Sequence, residues 1–119
     1  MQTNINFHIW YKVCRPVKFK YHVSVNVLLL LSGTYLLYKV TNKPFTKKQL
    51  LKFLTYYNSN KIKYYIGVLV NKGFVELVNV NKNIEYYGIT LAGISVINDL
   101  NDSYQIELSK FCQKYNIEL

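Results

Sequence analysis

Between Asn71 and Phe74 the spacing of apolar residues changes abruptly, and this change limits the chain to few folds. Before it, in "NSNKIKYYIGVLV", Ile62, Tyr65, Ile66 and Leu69 recur at helical spacing. After it, "FVELVNV" alternates with a period of two, as a strand does. Asn58, Ser59 and Asn60 are good N-caps, because their side chains accept bonds from free backbone N–H groups. Gly73 suits the residue just past a helix, where φ is often positive. The sequence therefore predicts a helix over Asn60–Lys72 that passes directly into a strand over Phe74–Val80. "NKN", Asn81 to Asn83, has hairpin-tip chemistry. "IEYYGIT", Ile84 to Thr90, reads as the returning strand.

The elements before this junction follow from the same periodicities. "TKKQLLKFL", Thr46 to Leu54, opens with Thr46 and Gln49 three apart, the capping-box spacing, and carries an apolar face of Leu50, Leu51 and Leu54. A turn is expected over Thr55-Tyr56-Tyr57. Upstream, "TNKP" (Thr41–Pro44) ends a helix expected over His22–Val40, since Pro44 cannot continue it. In "INFHIWYKV", Phe7, Ile9, Tyr11 and Val13 alternate with more polar residues, and Arg15-Pro16 follows. That pattern predicts an N-terminal strand-like arm over residues 1–20. After Thr90, another N-cap, Leu91, Ile94, Val96 or Ile97, and Leu100 begin a last helix. Tyr104, Leu108, Phe111 and Tyr115 continue it, and Asn101-Asp102-Ser103 is a point where it is expected to kink or split.

The expected architecture is a single domain over 1–119, mainly α with a small β-hairpin (α+β). It is a helix-turn-helix with a wing: a three-helix core and wing over 21–90, then a C-terminal helix over 90–119. A chain of 119 residues that is 50% hydrophobic has enough apolar material for one core.

Charge is distributed unevenly. The net charge is +9, yet residues 1–75 hold 12 of the 15 basic residues and no acid. All six acids lie at or after Glu76, where only three lysines stand against them. Abundant Asn, Lys, Ile and Tyr are also what an AT-rich genome encodes, so the asymmetry and not the total carries the argument. A one-sided positive field favours a polyanionic partner, either nucleic acid or an anionic membrane surface.

"TKKQLLKFL", "SNKIKYYIGVLVNKGFVELV" and "EYYGITLAGISVINDL" together resemble the winged-helix DNA-binding family, most closely MarR-type or PadR-type transcriptional regulators. These segments correspond to a supporting helix, a recognition helix with the first wing strand, and a return strand with a T-x-x-G helix start. The resemblance spans roughly Tyr21 to Leu100. It implies double-stranded DNA as partner, a homodimer, and regulation of transcription. MarR-type proteins usually begin with a long helix that helps build the dimer, whereas residues 1–20 here read as a strand. Residues 100–115, or pairing of Phe7–Val13 with a second copy, are then the expected dimer elements.

The residue chemistry supports the same partner. A helix about 10 Å across enters a major groove N-terminus first. Asn58 and Asn60 suit adenine edges, and Lys61 and Lys63 suit guanine acceptors or phosphate. Ser59 and the free N–H groups of the first turn suit phosphate. Tyr64 offers a hydroxyl to phosphate or a ring to a thymine methyl. Lys47 and Lys48 put positive charge at the positive end of a helix dipole, which costs a few tenths of a kcal/mol each; a phosphate contact would offset that. Lys82 and Asn83 at the wing tip suit the minor groove. Gly67 and Val68 offer no polar group, so the C-terminal half of this helix is expected to contact little DNA. Against these readings, Asn58, Ser59 and Asn60 also serve as plain caps, Tyr65 as a core aromatic, and Lys82 as a solvated turn residue.

Other classes find less support. Cys14 and Cys112 stand far apart, and His8 and His22 are isolated, so neither a metal site nor a catalytic constellation is expected. No phosphate-cradling or dinucleotide motif points to a cofactor. "MQTNINFHIW" lacks a signal-peptide pattern, and two free thiols suit a reducing cytoplasm. Tyr21–Tyr38 contains no charged residue, but Ser24, Asn26, Ser32, Gly33 and Thr34 interrupt it, as in the central helix of a soluble domain. The alternative function is a winged helix that binds protein in a replication or mobile-element complex without touching DNA. The sequence does not specify a small-molecule effector.

Overall fold

The structure, a computed structural model, describes residues 2–54 and 57–116, with the side chains of residues 2–9 excluded. Five helices and one hairpin follow in the order α1 (Gln2–Tyr21), α2 (Val25–Thr41), α3 (Lys47–Phe53), α4 (Ser59–Asn71), β1 (Val75–Asn81), β2 (Ile84–Ile89) and α5 (Leu91–Lys114).

The N-terminal strand-like arm expected over residues 1–20 is corrected: this segment is helix α1, and it runs through Pro16. Trp10, Val13, Cys14, Val17 and Tyr21 stand at spacings of three, one, three and four, a helical stripe. Val13, Cys14 and Val17 are buried on it, while Tyr11, a member of the alternating set, is exposed. Burial follows the period of 3.6, and the period of two was incidental. Pro16 is exposed, so the carbonyl it leaves unserved lies on the solvent side, where water can bond it. α1 packs along α5, and the Ser103 hydroxyl donates to the Val13 carbonyl at 2.8 Å. α5 does not split at Asn101-Asp102-Ser103, for it runs unbroken through them.

α2 starts later than the expected His22. His22 has a positive φ of 55° in the turn, and Ser24 caps the helix by accepting from the Val27 N–H. Seven of its residues, Leu28, Leu30 and Leu31 among them, are buried, so α2 is the central helix of the core. No single described helix is long and apolar enough to cross a membrane; α1 and α2 together have the composition but meet at 99°. Trp10 borders a cleft between α1, α2 and α5, and its Nε1 is the one buried side-chain polar atom without a partner among the described residues.

The middle of the chain follows expectation. The capping box closes on α3: Thr46 Oγ1 accepts from the Gln49 N–H at 3.1 Å, and Gln49 Oε1 accepts from the Thr46 N–H at 2.9 Å. Thr55 and Tyr56 of the expected turn lie outside the described residues. α4 buries Ile62, Ile66 and Leu69, and a Schellman motif ends it. There the Phe74 N–H reaches the Leu69 carbonyl and the Gly73 N–H the Val70 carbonyl, both at 3.0 Å, with Gly73 at φ 78°.

β1 and β2 pair antiparallel, and Val78 is bulged out of register. Lys82 and Asn83 both have positive φ, 52° and 64°, which defines a two-residue turn of the primed type suited to a tight hairpin. Phe45, just ahead of α3, exchanges backbone bonds with Tyr87 at 2.9 and 2.8 Å and stacks on its ring. The wing is thereby fastened to the start of α3. At its base, Thr90 Oγ1 accepts from the Gly93 N–H to cap α5 and donates to the Gly73 carbonyl. A Cβ on Gly93 would lie 2.2 Å from the Phe74 carbonyl oxygen, which is why the T-x-x-G start needs glycine there. Leu91, expected in the apolar stripe, is instead exposed on the first turn of α5. Tyr104 and Tyr115 are also exposed, while Val96, Ile97 and Leu100 are buried.

Candidate nucleic-acid interface

α3 and α4 pack against each other and α4 leads into β1, so the helix pair and the wing adjoin. α4 divides cleanly by face. Ile62, Ile66 and Leu69 are at most 1% exposed, and the opposite stripe holds Asn60, Lys63, Tyr64, Gly67 and Asn71, all exposed. Burying three branched aliphatic side chains holds that outer stripe in place with about 1.5–3 kcal/mol apiece.

At the start of α4, Asn58 is the N-cap, and its Oδ1 accepts from the Lys61 N–H at 2.9 Å. That oxygen is committed to the helix, which leaves the amide N–H₂ of Asn58 as its outward donor. Ser59 and Asn60 are exposed on the first turn. Tyr64 is 67% exposed and meets Tyr65 edge-on at 5.3 Å between ring centroids. Tyr65 is half-buried and turns towards Tyr57, whose hydroxyl donates to the Asn26 carbonyl at 3.0 Å. The two adjacent tyrosines thus split between surface and core.

The two lysines of α3 differ. Lys47 Nζ lies 3.5 Å from Glu85 Oε1 on the wing and 5.6 Å from the centre of the Tyr87 ring. Its charge is answered inside the molecule, and it relieves the unfavourable charge at the helix start in a way no sequence pattern signals. Lys48 is exposed. Among the described residues Lys48, Lys61, Lys63 and Lys82 form no salt bridge. Lys82 and Asn83 are exposed at the hairpin tip. The wing flanks also expose Leu77, Val78, Val80 and Ile84.

Two acids of the second half, Asp99 and Glu107, are engaged on α5 by Lys20 and Lys110. Asp99 on α5 accepts from Lys20 at 2.8 Å and from the Tyr21 hydroxyl. The Lys20 bond, followed by the Tyr21 bond, holds the Asp99 carboxyl below its ordinary range. Tyr21 in turn is pushed up, chiefly by its bond to Asp99. Its ring meets Phe74 at the wing base edge-on, 5.7 Å between centroids, so the end of α1, the middle of α5 and the wing root form one cluster. Cys14 and Cys112 are buried free thiols, and burial drives Cys14 to about 12. No group of three or more metal-ligating side chains occurs among the described residues.

Neither a protein-family model nor a curated protein matches this sequence. Solved structures do match in shape. MepR, a transcription regulator of the Staphylococcus aureus multidrug efflux pump MepA, superposes with a TM-score of 0.76 at 12% identity, over 94% of this chain and 79% of that one. Staphylococcus aureus MarR in complex with salicylate and kanamycin gives 0.76 at 14% identity, over 96% and 73%. A MepR variant bound to an oligodeoxyribonucleotide gives 0.73 at 13% identity, over 93% and 78%. These matches run through α1, which removes the expected departure at the N-terminus. The chain has the winged helix-turn-helix fold of the MarR-family transcription regulators.

Proposed function

We propose that this protein is a double-stranded DNA-binding transcriptional regulator that inserts α4 into the major groove and sets the 81–83 hairpin tip against the adjoining minor groove. The observation that carries this reading is the outer face of α4. Its N-terminal part is polar and basic, the face is free of acids, and it is held outward by three buried aliphatic residues on the reverse side. Asn58, Ser59, Asn60, Lys61, Lys63 and Tyr64 are the contact residues, with Lys48 on α3 and Lys82 and Asn83 on the wing. Lys47 acts at one remove, by holding the wing through Glu85. The reading agrees with the fold and with the nucleic-acid complex of the MepR variant.

The functional unit is a homodimer built on α1 and α5. Phe19 on α1 and Ile106 on α5 are 65% and 55% exposed, and Tyr11 on α1 and Tyr104 and Tyr115 at or near α5 are exposed as well. Two α4 helices about 34 Å apart would meet successive major grooves. The test is binding of a fluorescent duplex across a salt series. Affinity falls steeply as salt rises, because each neutralised phosphate contributes about 0.9 to the slope of log affinity against log salt. A flat response would contradict the proposal.

A further inference from the structure

Gly67 sits in the middle of α4 and nothing inside the protein requires it. A Cβ built there meets no atom within 4 Å, and the residue lies in an α-helix where alanine fits without strain. Glycine in a helix interior costs stability. The bare position is central in the exposed stripe, at spacings of seven, three and four from Asn60, Tyr64 and Asn71. Around it the surface sinks into a shallow, mainly apolar depression lined by Asn60, Lys63, Tyr64, Val68, Val70 and Asn71. Its lining joins aliphatic and aromatic side chains to two asparagines and to Lys63, which forms no salt bridge among the described residues.

We infer that Gly67 is a specificity-determining residue, and that this depression takes the C5 methyl of a thymine. The inference rests on the DNA-binding reading above and deepens it. The thymine methyl is the apolar group that base pairs present in the major groove. Removing the Cβ at position 67 lets the helix approach the base edge more closely, and Tyr64, Val68 and Val70 supply the apolar lining. Asn60 and Asn71 suit the N7 and N6 of adenine. The helix therefore selects an A·T step beneath its centre, in the half of α4 that sequence reading assigned little contact.

The experiment uses a short duplex enriched by the protein from a randomised pool. It is remade with deoxyuridine in place of each thymidine in turn, which removes only the C5 methyl. At least one such replacement in each half-site lowers wild-type affinity about fourfold, the value of one buried methyl. Gly67→Ala raises Tm by a few degrees, since it removes the helix penalty. It binds the thymidine duplex more weakly, no longer responds to that replacement, and keeps the wild-type salt slope. Indifference of the wild type to every deoxyuridine, or an unchanged response in Gly67→Ala, overturns the inference. A pool that yields no enriched sequence, with salt-dependent duplex binding intact, overturns it while leaving DNA binding standing. Loss of salt-dependent duplex binding altogether overturns both.

Discussion

Single residues decide whether the wing and helices meet correctly. Gly93 is the tightest such point, since its Cα faces the Phe74 carbonyl across a gap no methyl can enter. Gly93→Ala is expected to destabilise the fold by about 2–4 kcal/mol through overpacking against backbone, read as a lower denaturant midpoint. The α3 lysines separate a structural from an external role. Lys48→Ala weakens duplex binding and lowers the salt slope by about 1.8, one phosphate per protomer of the dimer, whereas Lys47→Ala leaves that slope nearer the wild type and loosens the wing. Equal slopes for the two variants would show that the Glu85 contact does not divert Lys47. Much at this scale was legible from sequence: the Thr46–Gln49 box, the Asn58 and Thr90 caps and the Gly73 stop are local and use spacings of three or four. Lys47–Glu85 was not legible, because 38 residues separate the partners and only the fold brings them together. Gly67 was not legible either, since emptiness around a residue exists only in three dimensions.

Among the elements, α3 and α4 follow their apolar periods, the hairpin forms where the alternation placed it but exposes Leu77, Val78 and Val80, and α1 does not follow the period that first catches the eye. Phe7, Ile9, Tyr11 and Val13 alternate, and Pro16 suggests a break, yet the stripe through Trp10, Val13, Cys14 and Val17 wins. Tertiary burial against α5 outweighs both the alternation and the roughly 3 kcal/mol that an interior proline costs. The Lys20–Asp99–Tyr21 cluster ties α1 to α5 and, through Phe74, to the wing root. The folded state lowers the Asp99 pKa. Its stabilising effect is therefore present above the ordinary carboxylate value near 3.9 and is lost as pH falls through the depressed folded value. Wild type is expected to be more stable than Asp99→Asn at pH 6, with the gap closing in strong acid. Denaturant melts across that range check this, and a gap independent of pH would contradict it.

At the scale of the whole molecule, the protein is elongated, with principal extents of 55 × 27 × 24 Å. The lone apolar side chains on α1 and α5 are what a second copy would cover. Phe19→Glu combined with Ile106→Glu is expected to halve the mass seen by sedimentation and to weaken duplex binding, while helix content is retained. A wild-type monomer would rule out the dimer on α1 and α5. The charge map belongs to this scale too. An acid-free stretch of 75 residues supplies the helix pair, and five of the six compensating acids sit on the wing (Glu76, Glu85) and α5 (Asp99, Asp102, Glu107). The segregation was visible in the sequence, whereas its relation to the outer face of α4 needed the fold.

The most direct measurement is the slope of log affinity against log salt for a duplex, compared between wild type and Lys61→Ala/Lys63→Ala. With two fewer phosphates neutralised by each protomer of the dimer, that slope should fall by about 3.6 with Tm unchanged, because both lysines are exposed and form no salt bridge. An identical slope in the two proteins would mean that the outer face of α4 does not meet DNA.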